Sequence, residues 1–426
     1  MHLIIGMRIL KRIERSYEGQ NIKVRIMFNM NFEYLKQELN KLLKERATPG
    51  VDCRVYKDHT EIFRYYAGFN DVDNSVKLNG DELYLIFSLT KLLTCVSALQ
   101  LFEKGAFKMD DQLSKYIEDF SNMYIETDIV APDDSIKVET TGDISVLNKK
   151  NKKLVKAKTP ITIKHLFTMT AGFGYNMKDE PVMEAIAKGN TTTGDLVKAF
   201  SKLSLCFEPG TRFKYSLCHD IIGSLVEIWS GMTLGEYMKK NIFEPLGMKD
   251  TFFGVPKDSK RLSCLSCLYR SNEVSDYVKI PQECIFNLTD EFESGGAGIV
   301  STTNDYALFL DALACGGVGK SGKRILSEAT VELMKTNQLN GKALEDFELI
   351  KKGYGYGFGV RTHIAPNISG SFSPVGEFGW DGAAGSYALV DTESHISLTY
   401  FQHMLGWNQS LEKYLRNALY KCIKDV

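Results

Sequence analysis

Apolar residues in FEYLKQELNKLLKER (residues 32–46) recur at helical spacing until Thr48-Pro49-Gly50 stops them. The next stretch, VDCRVYKDHTEIFRYYAG, alternates polar and apolar positions around Lys57-Asp58-His59, which predicts a β-hairpin. SLTKLLTCVSALQLFEKG predicts a buried helix that starts near Ser88 and ends at Gly105. Helical patterns then dominate from Ile161 to about Leu344. Alternation returns in YGYGFGVRTH, GSYALVD and HISLTYFQ, and SLEKYLRNALYKCI closes the chain as an amphipathic helix. Strands at both ends and helices between them predict one sheet built from both chain ends, with a helical lobe inserted over about 106–345. Residues 33–426 would form this single domain. Residues 1–32 have no clear period and read as an N-terminal extension, or as a mis-assigned start with Met30 as the alternative.

Two segments change this picture little. Between Ser121 and Lys158 acidic residues come first (Glu126 to Asp143) and lysines follow (Lys149 to Lys158). That segregation reads as a solvated excursion or as a flap at the rim of a site. Ala314-Cys315-Gly316-Gly317-Val318-Gly319-Lys320-Ser321 nearly matches a phosphate-binding loop. A helical pattern precedes it and Gly322 follows it, so it reads as a helix–helix loop.

Composition and charge narrow the function classes. The chain has 426 residues, 44% hydrophobic and 25% charged, enough to bury a large core. Its 52 basic and 53 acidic side chains leave a net charge of −1, which gives no electrostatic case for nucleic acid or an acidic membrane surface. No stretch is apolar enough to predict a membrane span. The N-terminus lacks the pattern of a secretory signal, so a cytoplasmic location is expected. Nine cysteines scattered over this length fit reduced thiols, and Cys264-Leu265-Ser266-Cys267 stands without a second pair or a nearby histidine.

Three candidate constellations carry chemistry. Ser88-Leu89-Thr90-Lys91 puts a serine and a lysine one helical turn apart, on one face, among Ile86, Phe87, Leu92 and Leu93. An apolar setting lowers a lysine's pKa and lets it activate a serine. Helix capping by serine gives the same pattern, and Ser410-Leu411-Glu412-Lys413 supplies an internal control of that kind. In PGTRFKYSL a turn delivers Tyr215 ahead of the amphipathic stretch DIIGSLVEIWSG. Its hydroxyl is either a general base toward a serine or a satisfied core phenol. In FGWDGAAG, read as opening a strand, small residues let a backbone N–H approach a substrate carbonyl, or simply make a strand-edge turn. His219 and Asp220 follow the tyrosine motif and read as structural.

Taken in order, these stretches resemble the serine β-lactamase-like superfamily, in its class C branch, and within it the family VIII carboxylesterases and related acyltransferases. TPGVDCRVYKDHTEIFRYYAG, SLTKLLTCVSALQLFEKGAFKMDDQLSKYI, TPITIKHLFTMTAGFGY, the run from PGTRFKYS to IFEPLGMKDT, SGGAGIVSTTNDYALFLDAL and FGWDGAAGSYALVD carry the resemblance. It implies an α+β sandwich of the β-lactamase/transpeptidase type, with an antiparallel sheet flanked by helices. It implies that Ser88 is the acylated nucleophile, that Lys91 activates it, and that Tyr215 is a general base or proton shuttle. Which of Lys91 and Tyr215 takes the first proton stays open. The backbone N–H groups of Ser88 and Ala383 would form the oxyanion hole. No cofactor and no metal are implied.

Two departures bear on the substrate. Lactamase and peptidase members carry Y-x-N, where this chain has Leu217. They also carry K-T-G or H-x-G, where this chain has Trp380-Asp381-Gly382. Losing a charge-assisted contact costs roughly 1.5–3 kcal/mol, or about tenfold to a hundredfold in affinity. The substitutions resemble the Y-S-x and W-x-G pattern of the esterase branch. Leu217, Trp380, Asp381 and Gly382 are therefore expected at the substrate pocket, with Trp380 either an apolar wall or a packing residue. The reading is a carboxylesterase or transacylase acting on small to medium esters, so a small-molecule partner is expected and the oligomeric state stays open. The alternatives are a β-lactamase or D-alanyl-D-alanine carboxypeptidase and a catalytically silent binder on the same fold.

Overall fold

The computed structural model describes residues 30–45, 48–128, 152–254, 259–272, 276–282, 286–408 and 410–424. Most of the expected N-terminal extension and the centre of the charge-segregated stretch lie outside these residues. Eight strands form the main sheet: β1 (Gly50–Lys57), β2 (Thr60–Asp71), β3 (Val76–Lys77), β4 (Tyr354–Tyr356), β5 (Arg361–His363), β6 (Phe378–Asp381), β7 (Tyr387–Asp391) and β8 (Ile396–Phe401). Their spatial order is β4-β5-β6-β7-β8-β1-β2-β3, and every pairing is antiparallel. The first and last thirds of the chain meet where β1 pairs with β8, Asp52 opposite Phe401 through Lys57 opposite Ile396. The expected two-ended sheet is present.

The alternation in β1 does not mark one wet face, because β1 is buried along nearly its whole length. Val51, Cys53 and Val55 pack with Leu389 and Leu398 against the terminal helices α1 (Glu33–Lys44) and α5 (Leu411–Lys424). The alternate residues, Asp52 and Arg54, instead bond Thr303 at the start of α4 (Thr303–Ala314). Helices thus cover both faces. The sheet positions are set by layers on either side rather than by solvent on one.

The large core gathers around α2 (Thr90–Glu103), whose residues are buried from Thr90 through Leu101. It packs against α3 (Cys218–Ser230), which ends at Gly231 in the left-handed conformation that favours glycine at a helix C-terminus. One expectation needs correction. The region read as helical also contains the short strands Phe252–Phe253, Leu268–Asn272, Asp276–Ile280 and Ile299–Ser301. Runs of two to five residues are too short to impose a period on the sequence. FGWDGAAG opens a strand, as expected: Phe378–Asp381 is β6, and the small residues turn the chain into β7. The near-match to a phosphate loop follows α4 as an irregular connection, as expected. Among the described residues, no helix is long and apolar enough to cross a membrane.

Candidate active site

Ser88 lies in a single 3-10 turn, Phe87–Leu89, just ahead of α2, and its side chain makes no helix cap. The turn is fixed from several directions. The Ile86 N–H donates to the Ile299 carbonyl at 3.1 Å, and the Tyr306 hydroxyl donates to the Leu89 carbonyl at 2.8 Å. The Thr90 hydroxyl oxygen accepts from the Ile299 N–H at 3.1 Å. Phe87 adopts φ = 46°, a left-handed conformation unfavourable for a bulky residue, and is held edge-on to Phe286. Such an outlier stores about 1–3 kcal/mol and persists only where surrounding contacts enforce it. Here it aims the next side chain, that of Ser88.

Lys91 is fully buried one turn later. Its Nζ donates to the Gly296 carbonyl at 2.6 Å, the Tyr175 hydroxyl at 3.1 Å and Ser88 Oγ at 3.3 Å. These three acceptors match the three hydrogens of an ammonium, and losing one proton frees a lone pair within reach of Ser88. Burial brings the Lys91 pKa down to about 8, against the opposing pull of Asp220. Asp220 is also fully buried, bonded by the Ser294 hydroxyl at 2.6 Å and the Gly296 N–H at 3.1 Å. It therefore holds the loop whose carbonyl accepts from Lys91. A Cβ on Gly296 would lie 2.6 Å from Asp220 Oδ2 and one on Gly295 2.5 Å from the His219 carbonyl, so glycine is needed for this approach.

Tyr215 arrives from the other side, in the turn before α3. Its hydroxyl accepts from Trp380 Nε1 at 3.1 Å, and Ser88 lies close enough to ease its ionisation. Burial raises the phenol pKa above its ordinary value, so the hydroxyl stays protonated at neutral pH. Tyr175, Tyr215 and Trp380 stack in series with centroid spacings of 5.5 and 5.4 Å. Lys91 Nζ lies 4.8 Å from the Tyr215 ring centre. Trp380 is thus more than an apolar wall, since it is a hydrogen-bond donor to the candidate base.

The turn after β6 presses against the Ser88 turn. Ser386 Oγ donates to the Ile86 carbonyl at 3.0 Å, and a Cβ on Gly382 would meet that carbonyl at 2.5 Å. Ala383, next in the turn, is exposed beside it. Asp381 faces Lys351, their charges 2.8 Å apart, and Lys351 also contacts Glu412 at 2.8 Å. Although burial opposes ionisation, Lys351 holds Asp381 below the usual carboxylate range, and burial with Asp381 nearby pushes Glu412 up to about 7. Leu217 stands at the N-terminal end of α3, two residues after Tyr215, and is wholly buried in the core. An apolar side chain there is held by core packing. His219 is buried beside Cys95, and burial lowers it to about 3, so it stays neutral as a core histidine.

Sequence reasoning did not assign Tyr175, Gly296 or Lys351, and it gave Asp220 no part in the site. Tyr175 and Gly296 lie in the TAGFGY and SGGAG runs, whose clustered small residues were the available signal.

A sequence model of the Beta-lactamase family matches residues 35–421. The chain belongs to that family. The acyltransferase calJ of Penicillium decumbens is 26% identical over 376 residues, covering 81% of this chain and 82% of that protein. Esterase EstB of Burkholderia gladioli is 22% identical over 410 residues, covering 89% and 93%. The solved structure of EstCE1, a hydrolase with promiscuous acyltransferase activity, superposes with a TM-score of 0.72 at 19% identity, covering 94% of this chain and all of that one. That likeness establishes the family fold, with its antiparallel sheet and flanking helices.

Proposed function

We propose that this protein is a serine-dependent esterase or transacylase that works through an acyl-enzyme on Ser88. The observation that carries the reading is the buried Lys91, within 3.3 Å of Ser88 Oγ and with its pKa brought down to about 8. The acyltransferase calJ and the esterase EstB support it by their names. Neutral Lys91 removes the Ser88 proton, and Oγ attacks the ester carbonyl. Lys91 takes this first proton because Tyr215 is shifted the other way and rarely offers a phenolate. The N–H groups of Ser88 and Ala383 bind the developing oxyanion. Tyr215 then protonates the departing alkoxide, and its phenolate is stabilised by the Trp380 N–H and the Lys91 ammonium.

Deacylation reverses the roles. Tyr215 takes the proton of an incoming water or alcohol, which attacks the acyl group. Ser88 Oγ leaves and recovers its proton from Lys91. The β-lactam alternative lacks its anchors. Leu217 is buried, and the nearby cation, Lys351, is already engaged by Asp381 and Glu412. Asp381, Gly382 and Trp380 would border the acyl or alcohol pocket.

The test is p-nitrophenyl butyrate hydrolysis by wild type and Ser88→Ala, with a chromogenic cephalosporin and a series of small alcohols alongside. Ester turnover that vanishes in the variant, with little cephalosporin turnover, supports the proposal. Ester product formed in proportion to added alcohol marks a transacylase. Equal rates in both proteins overturn the mechanism, and preferential cephalosporin turnover overturns the substrate class. If neither substrate turns over and a fluorophosphonate fails to label Ser88, the chain is a silent binder.

A further inference from the structure

The tip of the β1–β2 hairpin carries a second cluster of reactive side chains that the Ser88 chemistry does not use. Asp58 and His59 form the turn with φ of 47° and 65°, the left-handed pair that suits a two-residue hairpin. This geometry swings His59 onto the last turn of α4. Its backbone N–H donates to Asp311 Oδ1 at 3.1 Å, and its Nδ1 lies 2.8 Å from Asp311 Oδ2. Cys315, immediately past α4, places its sulfur 3.9 Å from Asp311 Oδ1. The three ligand atoms, one nitrogen, one oxygen and one sulfur, all lie within 4.8 Å of one another.

Those separations suit a small tetrahedral ion. Bonds of about 2.0–2.3 Å place neighbouring ligands about 3.3–3.8 Å apart, within the span already present. Charge points the same way. Asp311 is fully buried, and the charges acting on the Cys315 thiol are the carboxylates of Asp311 and Asp58. Access is adequate, since His59 and Cys315 are both partly exposed. The mixed nitrogen, sulfur and carboxylate set favours a borderline transition-metal dication over magnesium or calcium, which take oxygen ligands.

We propose that His59, Asp311 and Cys315 bind one divalent ion of the zinc class and so clasp the β1–β2 turn to the end of α4. On binding, Cys315 releases its thiol proton to solvent and forms the metal–sulfur bond. Asp311 supplies a carboxylate oxygen. The proton that His59 Nδ1 holds against Asp311 Oδ2 is exchanged through solvent for one on Nε2, which frees the Nδ1 lone pair for the metal, and a water fills the fourth position.

The experiment titrates the EDTA-dialysed full-length protein with Co²⁺ and follows the thiolate-to-cobalt charge-transfer band. Cys315→Ser, His59→Gln and, as a control on an exposed thiol, Cys264→Ser are run alongside. The expected result is one cobalt per chain. The band should be absent in Cys315→Ser, weakened about tenfold or more in affinity in His59→Gln, and intact in Cys264→Ser. No band in wild type, or a band that survives in Cys315→Ser, overturns the site. A measurement on wild type alone guards against a misfolded variant. Zn²⁺ should slow iodoacetamide alkylation of Cys315, mapped by mass spectrometry, and equal alkylation with and without Zn²⁺ overturns the proposal.

Discussion

The chain contains two S-x-x-K sequences at helix starts, and the molecule treats them differently. Ser410 and Lys413 open α5 at the surface, where both are exposed. Ser88 and Lys91 open α2, where Lys91 is fully buried and bonded to Gly296, Tyr175 and Ser88. Spacing is identical, so it cannot be what makes a nucleophile. Burial removes the water that would keep a lysine charged, and the tertiary acceptors orient what remains. The same four-residue pattern is an exposed helix start in one setting and, in the proposed function, a nucleophile–base pair in the other.

Substituting both motifs breaks or sharpens the comparison. Ser88→Ala should abolish p-nitrophenyl butyrate turnover, by about a thousandfold or more, whereas Ser410→Ala stays within about twofold of wild type. Lys91→Met should lower kcat by about 10²–10⁴-fold with Lys413→Met near wild type, and Tyr215→Phe should fall in the same range as Lys91→Met. A Lys413 variant as damaged as the Lys91 variant would show that burial is not the discriminator. Trp380→Phe keeps the ring stack but removes the N–H donated to Tyr215. A loss of about tenfold in kcat is expected, one ordinary hydrogen bond's worth, with KM moving less. An unchanged kcat would reduce Trp380 to a pocket wall.

The smallest effect is a displacement of the pH profile. Lys91 works as a base when neutral, so kcat/KM should rise with pH and level off above an apparent pKa near 8. Asp220 raises the Lys91 pKa, so Asp220→Asn should move that midpoint toward acid. A shift toward alkali would overturn the electrostatic link. The linked stability effect has the same sign. Below pH 8 both folded and unfolded chains hold the Lys91 proton. Between about 8 and the ordinary 10.5 the unfolded chain alone retains it, so this group's contribution to stability improves as pH rises through that window.

The hairpin was legible because its two strands alternate on either side of a short polar turn, and α1, α2, α3 and α5 because their apolar spacing runs for three turns or more. The strands at Phe252–Phe253 and Ile299–Ser301 were not, since their pairing partners are distant in sequence and each is too short to show a period. The site divides along the same line. Ser88 and Lys91 lie within one helical turn, and the PGTRFKYS run marks Tyr215. Tyr175 and Gly296 reach Lys91 across 84 and 205 residues, a juxtaposition no local pattern encodes.

The sequence by itself determined the periodic elements and the two-ended sheet, which are written in local spacing, and it marked Ser88, Lys91 and Tyr215 only through the longer runs that carry the family resemblance. Only the tertiary structure decided that Lys91 is dry and Lys413 wet, that Leu217 belongs to the core, that Trp380 donates to Tyr215, and that Lys351 neutralises Asp381. Each of these depends on which distant surfaces exclude water from a polar group and which bring it a partner.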